Sequence, residues 1–142
     1  MSDLDALLRG SEAWERLARQ AREGSLPQTL GCFLPTALQD PFAERFAALA
    51  LRGGEPCAGH PDLLRFGAPD QPPGIDLCRT LGGELSLAPV AAPFRLAVVF
   101  AADRLSPPAA NGLLKVTEEP PPHGRILLLT ERNQLLPTLR SR

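Results

Sequence analysis

Two apolar runs in the second half of the chain constrain its fold most strongly. They are FRLAVVFAA, residues 94–102, and GRILLLT, residues 124–130. A strand covered on both faces is apolar at nearly every position, whereas a strand with one face in water alternates. We therefore predict that both runs are inner strands of a parallel sheet.

Helical patterns alternate with these two apolar runs and with two shorter strand candidates, QTLGCFL (28–34) and DLLRF (62–66). The predicted helices are SEAWERLARQAREG (11–24), DPFAERFAALALRGG (40–54), IDLCRTL (75–81) and SPPAANGLLKVTEE (106–119). The second is predicted to start at Asp40, with Pro41 in its first turn and a core stripe of Phe42, Phe46 and Leu49. Strands that alternate with helices predict a three-layer α/β domain with a mostly parallel sheet.

Composition narrows the functional class. The chain has 142 residues, 44% of them hydrophobic, which is typical of one globular domain. Its net charge of −1 provides no basic field that would attract nucleic acid or a membrane surface. No apolar run approaches the ~20 residues that span a bilayer, and the acidic N-terminus is unlike a signal peptide. We expect a cytoplasmic protein.

The three cysteines, Cys32, Cys57 and Cys78, are widely spaced and odd in number, which indicates reduced thiols. Cys57 and His60 have the spacing of a ligand pair, but a structural zinc site needs about four ligands and no second pair is present. We expect neither a metal nor a cofactor.

Ligands of parallel α/β sheets bind at the carboxyl ends of the strands. The connection after the first strand, LPTALQD (34–40), has no glycine and no lysine, and Leu34 and Leu38 would obstruct a phosphate. The strand LAVVF leads into Phe100, Ala101 and Ala102, where an NTPase normally carries acids that hold magnesium. Both positions predict that the site does not bind a nucleotide.

Other catalytic constellations are missing. His60 and His123 each lie beside proline in a predicted loop, and no serine has the G-x-S-x-G context of a nucleophile elbow. Asp103 is expected to cap the next helix or to pair with Arg104. Glu118 and Glu119 are adjacent, so they point about 100° apart on a helix. We expect a solvated helix end there, or contacts with a partner's basic groups.

Residues 109–142, AANGLLKVTEEPPPHGRILLLTERNQLLPTLRSR, closely resemble a segment of bacterial DNA polymerase III clamp-loader subunits. In that family an AANALLKTLEEPP helix precedes a buried strand and an LLPTIRSRC segment. GHPDLL and IDLCRTL are similar to the family's T-H-P-D and I-D-x-I-R-x-L segments. The resemblance implies an AAA+ fold, which is related to the P-loop NTPases.

The motor subunits of this family bind and hydrolyse ATP, whereas the delta-prime subunit commonly has a degenerate site. The loop at 33–39 and the missing acids at Phe100 and Ala101 favour delta-prime. The resemblance then implies a polymerase holoenzyme subunit without ATP chemistry of its own. Its implied partners are gamma/tau-like motor subunits, a delta-like subunit and, through the complex, the sliding clamp and primer-template DNA. Neither a membrane nor zinc is implied.

The family's S-R-C arginine reaches toward ATP held by a neighbouring subunit. It matches Arg142, which the resemblance makes an arginine finger in trans, with Ser141 as the adjacent motif residue. Lys115 matches a family signature without an expected catalytic role. Thr130 lies where ATP-active relatives have a sensing polar residue, and we expect it to be structural.

The chain departs from the family in three ways. The cysteine-rich zinc module before HPD is missing, with only Cys57 left, and Thr117 takes a usually apolar position. The last core strand, the lid domain and the collar domain do not follow Arg142. Residues 1–142 are thus expected to be a truncated N-terminal AAA+ core domain. QTLGCFL is then expected to form an exposed apolar edge that promotes self-association.

Two alternatives stay open at this point. The chain could be an active AAA+ ATPase motor subunit, or a divergent AAA+ binding module outside replication.

Overall fold

The computed structural model describes residues 12–52 and 59–131. This part of the chain contains helices α1 (Glu12–Glu23), α2 (Thr36–Arg52), α3 (Ile75–Leu85) and α4 (Pro107–Glu118). Its strands are β1 (Thr29–Phe33), β2 (Leu63–Phe66), β3 (Arg95–Val99) and β4 (Gly124–Thr130). A short 3-10 turn, Ala102–Arg104, lies between β3 and α4.

The strands form one parallel sheet in the order β1-β4-β3-β2. In the register of β1 and β4, Thr29 lies opposite Ile126 and Phe33 opposite Thr130. β3 and β4 occupy the middle of the sheet, and nearly all of their residues are buried. The predicted α/β class and the predicted inner strands are confirmed.

Side chains of the two inner strands supply a core on each face of the sheet. Ala97, Val99, Ile126 and Leu128 pack with α3 and α4 on one face. Leu96, Val98, Leu127 and Leu129 pack with α2 on the other, and half-buried residues of α1 complete that layer. Trp14 of α1 meets Phe42 of α2 edge to face, with ring centroids 5.8 Å apart. The three layers are therefore helices, sheet and helices.

The predicted start of α2 was wrong. The helix begins at Thr36, so Asp40 and Pro41 lie inside it rather than at its cap and first turn. A proline in a helix lacks the N–H that would bond to the residue four positions earlier, here Ala37. The Pro41 ring is exposed. The next residue, Phe42, and Phe46 one turn later are buried, so their packing holds the helix together across the proline.

The N-terminus of α4 follows its prediction. Pro107 opens the helix, and the Ser106 hydroxyl accepts a hydrogen bond from the Ala109 N–H at 3.2 Å. Further along, Thr117 is buried and its hydroxyl donates to the Leu114 carbonyl at 2.7 Å. This bond explains how a position that was expected to be apolar accommodates a threonine, because the buried hydroxyl is satisfied within its own helix.

Among the described residues, no helix combines the length and the apolar character needed to cross a membrane.

Candidate functional site

All four strands end at the same edge of the sheet, at Phe33, Phe66, Val99 and Thr130. This carboxyl edge is where parallel α/β sheets bind ligands. The connections that leave this edge therefore determine which ligand it can bind.

The connection from β1 to α2 consists of Leu34 and Pro35. The Leu34 N–H donates to the Thr130 carbonyl at 2.8 Å, and Pro35 has no N–H. A phosphate loop works by directing several free N–H groups at the phosphate oxygens. This two-residue connection offers none.

Side chains fill the space beside the connection. Leu34 and Leu38 are half-buried and pack against the α2 side of the core. Gln39 is fully buried, and its amide nitrogen donates to the Leu34 carbonyl at 3.4 Å. The Gln39 carbonyl oxygen has no hydrogen-bond partner within residues 12–52 and 59–131. Sequence reasoning did not single out this buried glutamine, and the predicted obstruction of a phosphate by the two leucines stays a prediction.

A charged pair lies next to this region. The Arg65 guanidinium of β2 donates to the Asp40 carboxylate of α2, and both side chains are about half exposed. The same guanidinium lies over the Phe100 ring, 4.7 Å from its centroid. An exposed ion pair of this kind stabilises the fold by well under about 1 kcal/mol. The Asp40 carboxylate nonetheless places negative charge within the first two turns of α2.

The end of β3 carries apolar residues in a tight turn. Phe100 is fully buried, and its N–H donates to the Phe66 carbonyl at 3.0 Å. Ala101 has a left-handed backbone with φ of 52° and ψ of 40°, which is uncommon for a residue other than glycine. Its carbonyl accepts from the Arg104 N–H at 2.9 Å. Neither side chain can hold a metal ion.

Asp103 does not cap α4, which was one of its two expected roles, and its expected pairing with Arg104 stays a prediction. Ser106 caps α4, whereas the Asp103 carboxylate accepts from the Glu131 N–H at 3.4 Å. The Glu131 carboxylate in turn accepts from the Thr36 hydroxyl at 2.8 Å. These contacts tie the β3, β4 and β1 connections together across the carboxyl edge. Thr130, the last residue of β4, is buried, and its expected structural role stays a prediction.

Arg142, the expected arginine finger in trans, and Ser141, the adjacent motif residue, lie outside the described residues, as does Cys57. Lys115 is exposed on α4, beside a groove of about 330 Å³ between α3 and α4. His60 accepts a hydrogen bond from the Asp62 N–H at its Nδ1, at 3.0 Å. No cluster of three or more histidine, cysteine or acidic side chains is placed to hold a metal in the part of the chain that the structure describes.

Sequence reasoning missed Asp62, which is fully buried at the opposite, amino edge of the sheet. Its carboxylate accepts from three consecutive N–H groups, those of Val90, Ala91 and Ala92, at 2.7, 2.8 and 2.8 Å. Burial raises the pKa of Asp62, but the three backbone donors outweigh it and hold the pKa below its usual value. Asp62 lies in the HPD segment of the sequence, but nothing in that segment indicated a hydrogen-bond partner 28 residues away.

Comparisons with known proteins agree with this fold. Residues 57–142, more than half of the chain, match the family described as DNA polymerase III, delta subunit. DNA polymerase III gamma/tau subunits of Mycobacterium bovis and Mycobacterium tuberculosis are 40% identical over 70 residues, which cover 49% of this chain and 12% of theirs. The chain therefore spans a small part of these curated relatives.

A crystal structure of a DNA polymerase III gamma subunit-related protein from Thermotoga maritima has the same fold. It matches with a TM-score of 0.71 and 26% identity, over 90% of this chain and 43% of that one. This neighbour has the fold that the α/β architecture of the chain matches. The family match over residues 57–142 includes segment 109–142, which resembles clamp-loader subunits. The chain belongs to the family of DNA polymerase III clamp-loader subunits.

Proposed function

We propose that the chain is the core of a delta-prime-like, non-catalytic clamp-loader subunit. In this proposal it holds no nucleotide of its own and completes the ATP site of a neighbouring subunit. It thereby helps the complex to load the sliding clamp on primer-template DNA. The ring partners are gamma/tau-like motor subunits and a delta-like subunit.

The observation that carries the proposal is the β1–α2 connection. Its one backbone N–H, that of Leu34, is already bonded to Thr130. Asp40 adds a carboxylate inside the following helix, and the Phe100–Ala101 end of β3 provides no metal ligand. A triphosphate with its magnesium needs donors, positive charge and a carboxylate at these places. The connection has no free backbone donor, the Asp40 carboxylate offsets the charge of Arg65, and the end of β3 has no metal ligand, which together support a subunit without its own ATP chemistry.

The role in trans rests on Arg142. Phosphoryl transfer spreads negative charge over the γ-phosphate oxygens, and a positioned guanidinium stabilises that charge with two or more hydrogen bonds. A finger that is supplied by a neighbour is worth roughly 10³–10⁵ in rate in the GTPase case. Arg142 matches the family's S-R-C arginine, and Ser141 precedes it as in the motif.

The test is ATP hydrolysis by the clamp loader reconstituted with the subunit that carries this chain. We expect Arg142→Ala to lower DNA- and clamp-stimulated hydrolysis at the adjoining site by roughly 10³-fold. Arg142→Lys should recover little, because lysine keeps the charge but loses the planar fork. Arg140→Ala is the matched control and should keep the wild-type rate. Wild-type hydrolysis by the Arg142→Ala complex, with assembly intact by gel filtration, would contradict the role.

A second candidate function is an active ATPase motor subunit. The observations that favour it are the identity to gamma/tau subunits and the gamma subunit-related neighbour. It requires MgATP binding by this chain, which the first proposal excludes.

A third candidate function is that of a divergent module outside replication. It predicts that the protein does not co-purify with a gamma/tau-like subunit.

A further inference from the structure

A small cavity lies at the amino edge of the sheet, at the opposite end of the strands from the carboxyl edge. Its volume is about 170 Å³, and its wall comes from the last turns of α1 and α2 and from residues at the starts of β3 and β4. The exposed residues Gly24 and His123 line it, so the cavity is open to solvent. Most of the wall is apolar and consists of Ala21, Leu26, Ala50, Pro93, Phe94 and Pro122.

Arg125 brings a charge into this apolar wall. It is the second residue of β4, lies opposite Leu96 of β3 and is half-buried. Side chains two residues apart in a strand point to the same face, so Arg125 lies on the α2 side of the sheet, as Leu127 does. Its guanidinium carbon lies over the Phe94 ring, 4.9 Å from the ring centroid. The ring thus covers one face of the guanidinium and leaves the edge of the group available for hydrogen bonds.

The protein itself compensates little of this charge. Nη1 of Arg125 donates to the Gly124 carbonyl at 3.0 Å. In the part of the chain that the structure describes, the Arg125 Nε is buried without an acceptor, no ion pair joins Arg125 to a carboxylate, and no acidic side chain lines the cavity. Arg95 of β3 differs, because the Asp62 carboxylate lies 3.7 Å away. Burial lowers the pKa of Arg125, since the charged form loses contact with water.

We propose that this cavity binds a small organic acid, whose carboxylate pairs with the Arg125 guanidinium and whose short apolar chain contacts the cavity wall. The Nη2 hydrogens and the second Nη1 hydrogen form a planar fork that matches the two oxygens of a carboxylate. The carboxylate supplies the opposite charge that a partly buried cation needs. A phosphate fits less well, because it needs more donors than one guanidinium supplies and gains nothing from apolar walls.

The size of the cavity limits the acid. An apolar cavity of about 150 Å³ holds one benzene molecule, so a cavity of about 170 Å³ has room for about seven non-hydrogen atoms. Isovalerate, a carboxylate on a short branched chain, has this size. A peptide that ends in leucine presents the same chemistry at its C-terminus. The inference is independent of the proposed function, because the two sites lie at opposite ends of the strands.

The first test is titration of the chain with sodium isovalerate at constant ionic strength, followed by amide NMR spectra. We expect saturable shifts at Gly24, Phe94 and Arg125, with a Kd of about 1 mM, which is reasonable for so few atoms. Isovaleramide has the same shape without the charge and should bind about tenfold more weakly, because charge-assisted hydrogen bonds are the stronger ones. Inorganic phosphate should also bind more weakly than isovalerate.

A pair of variants tests the role of the guanidinium. Arg125→Gln should weaken isovalerate binding by about tenfold or more, because it removes the charge and the fork. Arg79→Gln, at an exposed arginine of α3 outside the cavity, is the matched control and should bind isovalerate as the wild type does. A tripeptide that ends in leucine distinguishes the two sources: tighter binding than isovalerate indicates a chain terminus, and weaker binding indicates a free acid.

Four results would overturn the proposal: no saturable shift with isovalerate, equal affinity for isovalerate and its amide, phosphate that binds at least as tightly, or an Arg125→Gln variant with wild-type affinity. Should Arg125→Gln fail to fold, the comparison of isovalerate with isovaleramide on the wild-type chain decides, because the two ligands have the same shape and differ in charge.

Discussion

At the scale of single residues, Asp62 is a fully buried charge that is held by backbone hydrogen bonds. A buried carboxylate is costly unless hydrogen bonds compensate for the lost water, and Asp62 accepts three from residues 90–92. Arg95, also buried, brings a guanidinium nitrogen to 3.7 Å from the same carboxylate. The carboxylate thus fixes the loop that links α3 to β3, although Val90 in that loop is 71% exposed.

We expect Asp62→Asn to destabilise the chain by about 2–4 kcal/mol, because an amide offers one acceptor oxygen and leaves buried N–H donors unpaired. Urea denaturation at neutral pH measures the change. Asp70→Asn, at an exposed aspartate of the loop before α3, is the control and should stay within about 0.5 kcal/mol. A loss for Asp62→Asn no larger than that of the control would show that the carboxylate is dispensable.

The same residue predicts a pH dependence. The pKa of Asp62 is lower in the folded chain than the ordinary 3.8, so its stabilisation is complete above that value and is lost as the pH falls through the folded pKa. The difference in unfolding free energy between wild type and Asp62→Asn should therefore be constant near neutral pH and shrink below about pH 4. A difference that grew on acidification would have the wrong sign.

Cys32 and Cys78 should react slowly in the native chain. Burial raises the pKa of Cys32 to about 11 and raises the pKa of Cys78 as well. At pH 8 only about one Cys32 in a thousand is a thiolate, and the thiolate is the reactive form. Alkylation by iodoacetamide should be much slower in buffer than in about 8 M urea for both cysteines, because that concentration of urea unfolds the chain fully. Peptide mass spectrometry measures the two rates. Equal rates in the two solvents would contradict this environment.

At the scale of elements, the contact between α3 and β4 is tight at one glycine. A Cβ on Gly124, the first residue of β4, would lie 2.6 Å from the Cγ of Leu85, which is fully buried at the end of α3. Gly83 lies in the same helix with no atom within 4 Å of an added Cβ. The two glycines therefore predict opposite effects of the same substitution.

We expect Gly124→Ala to destabilise the chain by about 1–3 kcal/mol, because the core must shift to admit the methyl group. Gly83→Ala should stabilise it by about 0.5–1 kcal/mol through the higher helix propensity of alanine. Thermal unfolding of both variants measures the pair. Shifts of the melting temperature in the same direction would be inconsistent with the packing described.

The elements that sequence predicted well are those whose signal is local. The inner strands are apolar throughout, and Ser106 with Pro107 marks the start of α4. The start of α2 was missed because Asp40 and Pro41 imitate a helix N-terminus, and packing of Phe42 and Phe46 overrides that signal. Within residues 12–52 and 59–131, β1 pairs with β4 alone, as the family resemblance led us to expect for this part of the sheet.

At the scale of the whole molecule, the prediction that the site binds no nucleotide rests on residue types that the sequence lacks there, and it stays a prediction. Missing glycines, lysine and acids are visible in the sequence, because each phosphate-binding role needs a particular residue type. The contacts that replace them were not predictable, since they join distant residues: Asp40 with Arg65, and Thr36 with Glu131. Only the parallel sheet brings their strand ends to one edge.

The proposed non-catalytic role requires that this carboxyl edge binds no nucleotide. A ligand present at a hundred times its Kd stabilises a folded protein by about 2.7 kcal/mol, which shifts the melting temperature by several degrees. The most direct measurement is therefore isothermal titration of the chain with MgATP, with a gamma/tau-like motor subunit as the positive control and thermal unfolding as a check. We predict no saturable heat and an unchanged melting temperature. Saturable binding of one MgATP per chain would contradict the claim and favour an ATPase motor subunit.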